Sequence, residues 1–168
     1  MAGALIVTAE LGASDLAWLD GLRRAHYPLD RNVVPAHLTV VHALPPSAEA
    51  EVRFTLSRYS SEKPPRATIE GVLNLGSGVA FRVVSSDLDR IRRELSGHFH
   101  GLLGAQDAGG WRPHVTIQNK VSANVARALI AKLEREFRPC SLAISGLALH
   151  RYLDGPWQRL VGYPFRGR

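Results

Sequence analysis

The chain has 168 residues, 45% of them hydrophobic and 21% charged, with a formal net charge of +6. Such a chain folds as one domain able to bury about two-thirds of the surface it exposes when unfolded, which excludes a disordered or disulfide-stapled protein. The positive excess favours a polyanionic partner, while the lone Cys140 cannot form an internal disulfide and points to a reducing compartment.

The N-terminal ALIVTAE (4–10) is short and rich in β-branched residues. It reads as a strand, because a signal peptide would need a basic segment before it and a longer apolar run. No apolar run approaches the roughly 20 residues of a membrane span, so the expected location is the cytoplasm. Ser14 is placed to cap a helix carrying Leu16, Leu19 and Leu22, which stops before Pro28. A strand is expected over 36–43 and ends at Pro45-Pro46. Ser47 then opens a helix with Val52, Leu56 and Tyr59 on one side. Residues 66–75 and 79–85, joined by Gly76-Ser77-Gly78, form a predicted hairpin. Ser86 starts a helix with Leu88, Ile91, Leu95 and Phe99, and GAQDAGG (104–110) reads as a flexible loop. A strand is expected over 111–119. Ser122 or Asn124 caps the next helix, with Val125, Leu129, Leu133 and Phe137 at fourfold spacing. The chain closes on a hairpin, 141–152 and 157–165, around Asp154-Gly155-Pro156; just before it, Cys140 is expected to be a buried structural thiol.

The predicted order, β-α-β-α-β-β-α-β-α-β-β, repeats itself at offsets of about 73 to 77 residues. The strand at 4–10 corresponds to 79–85, His37 to His114, and 68–75 to 141–149. The expected fold is therefore α+β: a bilobal pseudo-twofold duplication of a β-α-β-α-β unit. Antiparallel sheets line a central cleft with helices outside, and residues 1–168 form one domain of two lobes. HLTV (37–40) and HVTI (114–117) occupy matching places in the two halves. On a strand, residues two apart share a face. His37 and Thr39 therefore point one way, with Leu38 and Val40 opposite. His114 and Thr116 do the same against Val115 and Ile117. One such tetrapeptide means little; two at equivalent positions would bring two imidazoles and two hydroxyls together. That set suits phosphoester chemistry, with one neutral imidazole taking a proton, a protonated one giving one, and hydroxyls holding phosphate oxygens.

These paired motifs, in a basic chain of this size, resemble the two-histidine (2H) phosphoesterase superfamily, most of all its bacterial 2'-5' RNA ligase (LigT-like) branch with its cyclic phosphodiesterases. The resemblance spans nearly the whole chain. It implies a cleft lined by the two motif strands and opening of 2',3'-cyclic phosphates on RNA 3' ends or nucleotides to 2'-phosphates. In some members it also implies ATP-independent, reversible 2'-5' joining of RNA ends. By motif position it makes His37 and His114 the acid/base pair and Thr39 and Thr116 the phosphate binders. The chain departs from the ligase-like pattern at two places. Asn119, followed by Lys120, stands where many members carry arginine, and Trp157 follows the terminal Gly-Pro where many carry tyrosine.

Four further residues are candidates for substrate binding. Arg112 and Lys120 match His114 in strand parity, and Tyr152 and Trp157 flank the last turn, where an aromatic ring can stack on a base. His42 is out of parity with His37. No HExxH, cysteine cluster or acidic residue beside either motif suggests a metal, and no GxGxxG, GK[ST] or GxSxG segment suggests a nucleotide cradle or serine nucleophile. No cofactor is expected, and the expected form is a monomer. Two other functions use the same residues: a non-catalytic binder of RNA or phosphorylated ligands, and a phosphoesterase for a cyclic phosphate that is not RNA.

Overall fold

The computed structural model describes residues 3–168. Among them, strands and helices follow in the order β1 (Leu5–Leu11), α1 (Ala13–His26), β2 (Leu38–Leu44), α2 (Glu49–Arg58), β3 (Arg66–Asn74), β4 (Val79–Val84), α3 (Ser86–His98), α4 (Ala105–Ala108), β5 (His114–Gln118), α5 (Ala123–Glu136), β6 (Cys140–Tyr152) and β7 (Trp157–Pro164). The fold is α+β and every strand pairing is antiparallel. The order matches the expectation except for α4, which forms inside the segment read as a flexible loop. That segment is anchored by Asp107, whose carboxylate is buried and accepts the amides of His42 and Ala43.

The strands make one seven-stranded sheet rather than separate ones, with the path β2-β1-β6-β3-β4-β5 and β7 added beside β6. The length of β6 is the reason. Thirteen residues at about 3.3 Å each let its last residues pair with β1 and β7 and its first with β3. Although β2 and β5 end the path, they approach each other, so the sheet curls until its two motif strands are neighbours. One continuous core joins both halves. It includes Leu5, Val7, Leu38 and Val40 on one side and Phe81, Val83, Val115 and Ile117 on the other.

Local chemistry moves several helix starts from their expected places. Gly12, not Ser14, precedes α1, and Asp15 instead accepts the Ala143 amide across to β6. Ser85, not Ser86, caps α3. It has the extended backbone a cap requires, accepts the Leu88 amide at 3.0 Å and donates to the Arg66 carbonyl at 2.6 Å. Ser47 lies within a short 3-10 turn, Pro46–Ala48, that leads into α2. Of the two candidates before α5, Ser122 is the cap. Val125 is exposed on α5, whose inward face is Ala126, Leu129 and Leu133. Cys140 is exposed, because it opens β6 past the margin of the core.

Candidate active site

Both motifs fold as the alternation requires. Leu38, Val40, Val115 and Ile117 are fully buried, whereas His37, Thr39, His114 and Thr116 keep part of their surface in solvent. Each motif also carries the same irregularity. In β2, Thr39 pairs with Thr8 but the next register pair is Val41 with Val7, leaving Val40 without a partner. In β5, Thr116 pairs with Ala80 and Gln118 with Val79, leaving Ile117 without one. Such bulges bend a strand and re-aim its side chains.

The two imidazoles are held alike. His37 Nδ1 lies 2.7 Å from the carbonyl of Pro35, and His114 Nδ1 lies 2.7 Å from the carbonyl of Arg112. A carbonyl only accepts, so each Nδ1 carries the proton and donates it. Each Nε2 is thereby the free nitrogen: an acceptor when the ring is neutral, a donor when it is protonated. Desolvation pushes His37 down to about 4, against the smaller upward pull of its bond to Pro35. The positive fields of Arg23, His150 and His114 add to the depression. The His114 field reaches His37, which places the two rings in one electrostatic neighbourhood. Trp157 packs on His37 with ring centres 4.5 Å apart and on His150 at 5.6 Å.

A cavity of about 460 Å³ opens beside His37. Its lining includes Trp157, His150 and Thr8, the Val33–Val34–Pro35 segment, and Glu10 and Arg159, which form an ion pair at 2.8 Å. Gly162 lets that pair lie flat, since a Cβ there would stand 2.0 Å from the Arg159 guanidinium. Thr39, His114 and Thr116 do not line this cavity.

The remaining predicted residues fall unevenly. Trp157 lines the cavity, while Tyr152, paired with it across the hairpin, does not. Arg112 is exposed and precedes β5, so strand parity does not apply to its side chain; its carbonyl is what holds His114. Lys120 also lies outside the strand, which ends at Gln118. It takes a left-handed φ of 62°, exposed, so its expected parity with His114 is lost. His42 is bound to Asp107 at 3.0 Å, away from the motif pair as its parity implies.

Sequence reasoning missed four neighbours of the site. His150 bonds Thr8 Oγ1 at 2.8 Å, and burial lowers its pKa. Trp111 donates its indole N–H to the Thr39 carbonyl at 3.1 Å, and the buried Arg23 donates to the Thr116 carbonyl at 2.8 Å. Alternation of His150 with Leu147 and Leu149 on one strand was a legible signal. Nothing local marks Arg23, whose partner lies 93 residues away.

A sequence profile of the 2'-5' RNA ligase superfamily matches residues 12–156. The chain belongs to that superfamily, the 2H phosphoesterases. Its fold agrees with three solved members or relatives. TT0787 of Thermus thermophilus is 19% identical, with a TM-score of 0.68 over 98% of this chain and 99% of that one. E. coli LigT complexed with 3'-AMP is 16% identical, with a TM-score of 0.65 over 98% and 99%. A structure described as a phosphoesterase is 16% identical, with a TM-score of 0.62 over 97% and 98%. No curated protein sequence matches the chain. Among the described residues, no helix of this 2H phosphoesterase is long and apolar enough to cross a membrane, and no three His, Cys, Asp or Glu side chains converge as metal ligands.

Proposed function

We propose that the protein opens 2',3'-cyclic phosphates of RNA ends or nucleotides to 2'-phosphates without a metal ion. His37 and His114 serve as the acid/base pair, and Thr39 and Thr116 hold the phosphate. The observation that carries this reading is the matched tautomer: both rings donate Nδ1–H to the carbonyl two residues back, leaving two Nε2 atoms free. His37, held neutral by burial, is the base. Its Nε2 takes a proton from water as the water oxygen attacks phosphorus. The P–O3' bond breaks, and O3' receives the proton from Nε2–H of His114. The Thr39 and Thr116 hydroxyls donate to the non-bridging oxygens, which gain charge in the transition state. Solvent then returns both rings to their starting protonation.

The nucleotide complexes of E. coli LigT, with 3'-AMP, NADP+ and ATP, support a nucleotide-like substrate for this chain. Trp157 at the cavity beside His37 supports base stacking. The shared bulge and the matched histidine geometry support descent of the two halves from one duplicated unit. Replacement of water by an RNA hydroxyl at the same phosphorus would give 2'-5' joining by the same acid/base pair.

Hydrolysis of a nucleoside 2',3'-cyclic phosphate in EDTA tests the reading. Turnover is expected in the wild type, with a loss of at least about 10²-fold in His37→Ala and in His114→Ala. Undiminished turnover in either variant would refute the assignment. Salt-dependent binding without any turnover would identify a phosphate-binding protein instead.

A further inference from the structure

The two histidine strands stand at opposite ends of the sheet path, with β1, β6, β3 and β4 between them. Neighbouring strands twist by about 20° with considerable scatter. Small errors in five successive pairings therefore add, and the ladder alone leaves the separation of His37 and His114 loose. Acid/base groups acting on one phosphorus need placement within about 0.5 Å. The fold must supply a direct tie.

Two buried arginines make that tie reciprocally. Arg23, on the helix that follows β1, is 3% exposed. One nitrogen donates to the Thr116 carbonyl of β5 at 2.8 Å, while its Nε donates to Asn32 Oδ1 at 3.0 Å. Asn32 lies in the loop that leads to His37. The same loop is pinned again where the Ala36 amide donates to Asp20 Oδ1 at 2.6 Å. Arg23 thus grips the approach to one histidine and the strand of the other. Arg92, on the helix that follows β4, is 6% exposed and donates to the Val40 carbonyl of β2 at 2.8 Å. Its other contacts, to the Asp107 carboxylate and carbonyl, lock it in place. The helix of each half therefore holds the motif strand of the other. A guanidinium suits this role because its rigid planar fork donates from separate nitrogens in fixed directions, whereas an ammonium donates from one rotatable nitrogen.

We infer that Arg23 and Arg92 are positioning residues that set the spacing of His37 and His114 across the sheet closure. The inference rests on the acid/base reading for its kinetic consequence but not for its structural one. It differs from a purely stabilising role, in which buried arginines would satisfy strand carbonyls without affecting the reacting geometry.

The test compares Arg23→Lys, which keeps the charge and loses the fork, with Arg23→Met, which loses both. Arg92→Lys, which keeps the charge and loses the fork that reaches the Val40 carbonyl, serves as a third variant at the reciprocal tie in case the Arg23 variants fold poorly. With cyclic phosphate as substrate, kcat is expected to fall by about 10²-fold in Arg23→Lys with KM nearly unchanged. The groups whose positive fields lower His37 are Arg23 on α1, His114 on β5 and His150 on β6, and the Glu10–Arg159 ion pair of β1 and β7 lines the same cavity. His37 titration, followed by ring NMR, should therefore move upward in Arg23→Met and stay in place in Arg23→Lys. Crystal structures of Arg23→Lys and Arg92→Lys should show a changed separation of the two Nε2 atoms. Folded variants with wild-type kcat, or with the loss confined to KM, would overturn the inference. So would an unchanged Nε2 separation, which decides the matter even if the wild type turns over no cyclic phosphate.

Discussion

Asp107→Asn isolates the charge at the back of β2. Asp107 is 3% exposed, and its side chain faces no solvent. Its two oxygens accept the His42 amide at 2.9 and 3.0 Å, the Ala43 amide at 2.9 Å, the His42 ring at 3.0 Å and Arg92 at 3.2 Å. Asparagine keeps the volume but removes the charge opposite the buried Arg92, and it turns an NH2 toward amides that also donate. Breaking one partner of a buried ion pair costs about 3–5 kcal/mol. That is a large share of the ~5–15 kcal/mol that holds a domain of this size together. Urea unfolding at pH 7 should show a loss in that range. The double variant Arg92→Met/Asp107→Asn should lose less than the two single losses added.

The acid side gives an independent check. Burial alone pushes the Asp107 carboxyl up, but the His42 ring and the His42 and Ala43 amides outweigh it and hold it below the ordinary value. A depressed carboxylate stabilises fully above its unfolded pKa of about 3.9, and that stability is lost as pH falls through the folded value. Below pH ~4 the wild type should therefore lose part of its advantage over Asp107→Asn. A loss under about 1 kcal/mol at pH 7 would refute the claim that Asp107 is the anchor of this edge.

Three further outcomes follow from the site. The acid limb of kcat/KM should fall near pH 4, where His37 titrates in the free enzyme; a limb at the ordinary histidine value would remove His37 as the base. Thr39→Val and Thr116→Val, which keep shape and lose the hydroxyl, should each lower kcat by about 10- to 10³-fold if they bind the transition-state oxygens, and unchanged steady-state rates would exclude that role. Trp157→Ala should weaken nucleotide binding by about 1–3 kcal/mol, with Trp157→Phe recovering most of it in a titration; equal loss in both would point to packing against His37 rather than stacking on a base.

The element order and the motif strands were legible because hydrophobic periodicity is a local signal. Leu38, Val40, Val115 and Ile117 announce their burial by alternation alone. Cap positions shifted by one residue, as at Ser85 and Ser86, because the deciding feature is a backbone dihedral and not the residue type. Asp107 was hidden in a glycine-flanked segment whose composition reads as loop, since the groups that need its carboxylate lie on β2 about 65 residues earlier. The parity argument for Arg112 and Lys120 does not apply, because parity holds only inside a strand, and β5 is five residues long, starting at His114 and ending at Gln118. The Arg23 and Trp111 ties were invisible, because they exist only once the sheet has curled to bring its ends together.

That closure also explains how a weakly basic imidazole can serve. A base whose conjugate acid titrates near 4 accepts protons reluctantly, whereas general base catalysis favours a value nearer the working pH. The free enzyme, however, is not the state that reacts. A 2',3'-cyclic phosphate brings one negative charge to His37, and an opposite charge at close range favours the imidazolium form. Substrate binding should therefore raise the His37 pKa toward neutrality, while in the free enzyme burial and the Arg23, His150 and His114 fields hold the ring neutral and ready. The two pH profiles must then separate. The kcat limb, set by the bound state, should lie at higher pH than the kcat/KM limb, set by the free enzyme. If the two limbs coincide, the bound phosphate does not sit beside His37, and the general base must be sought elsewhere.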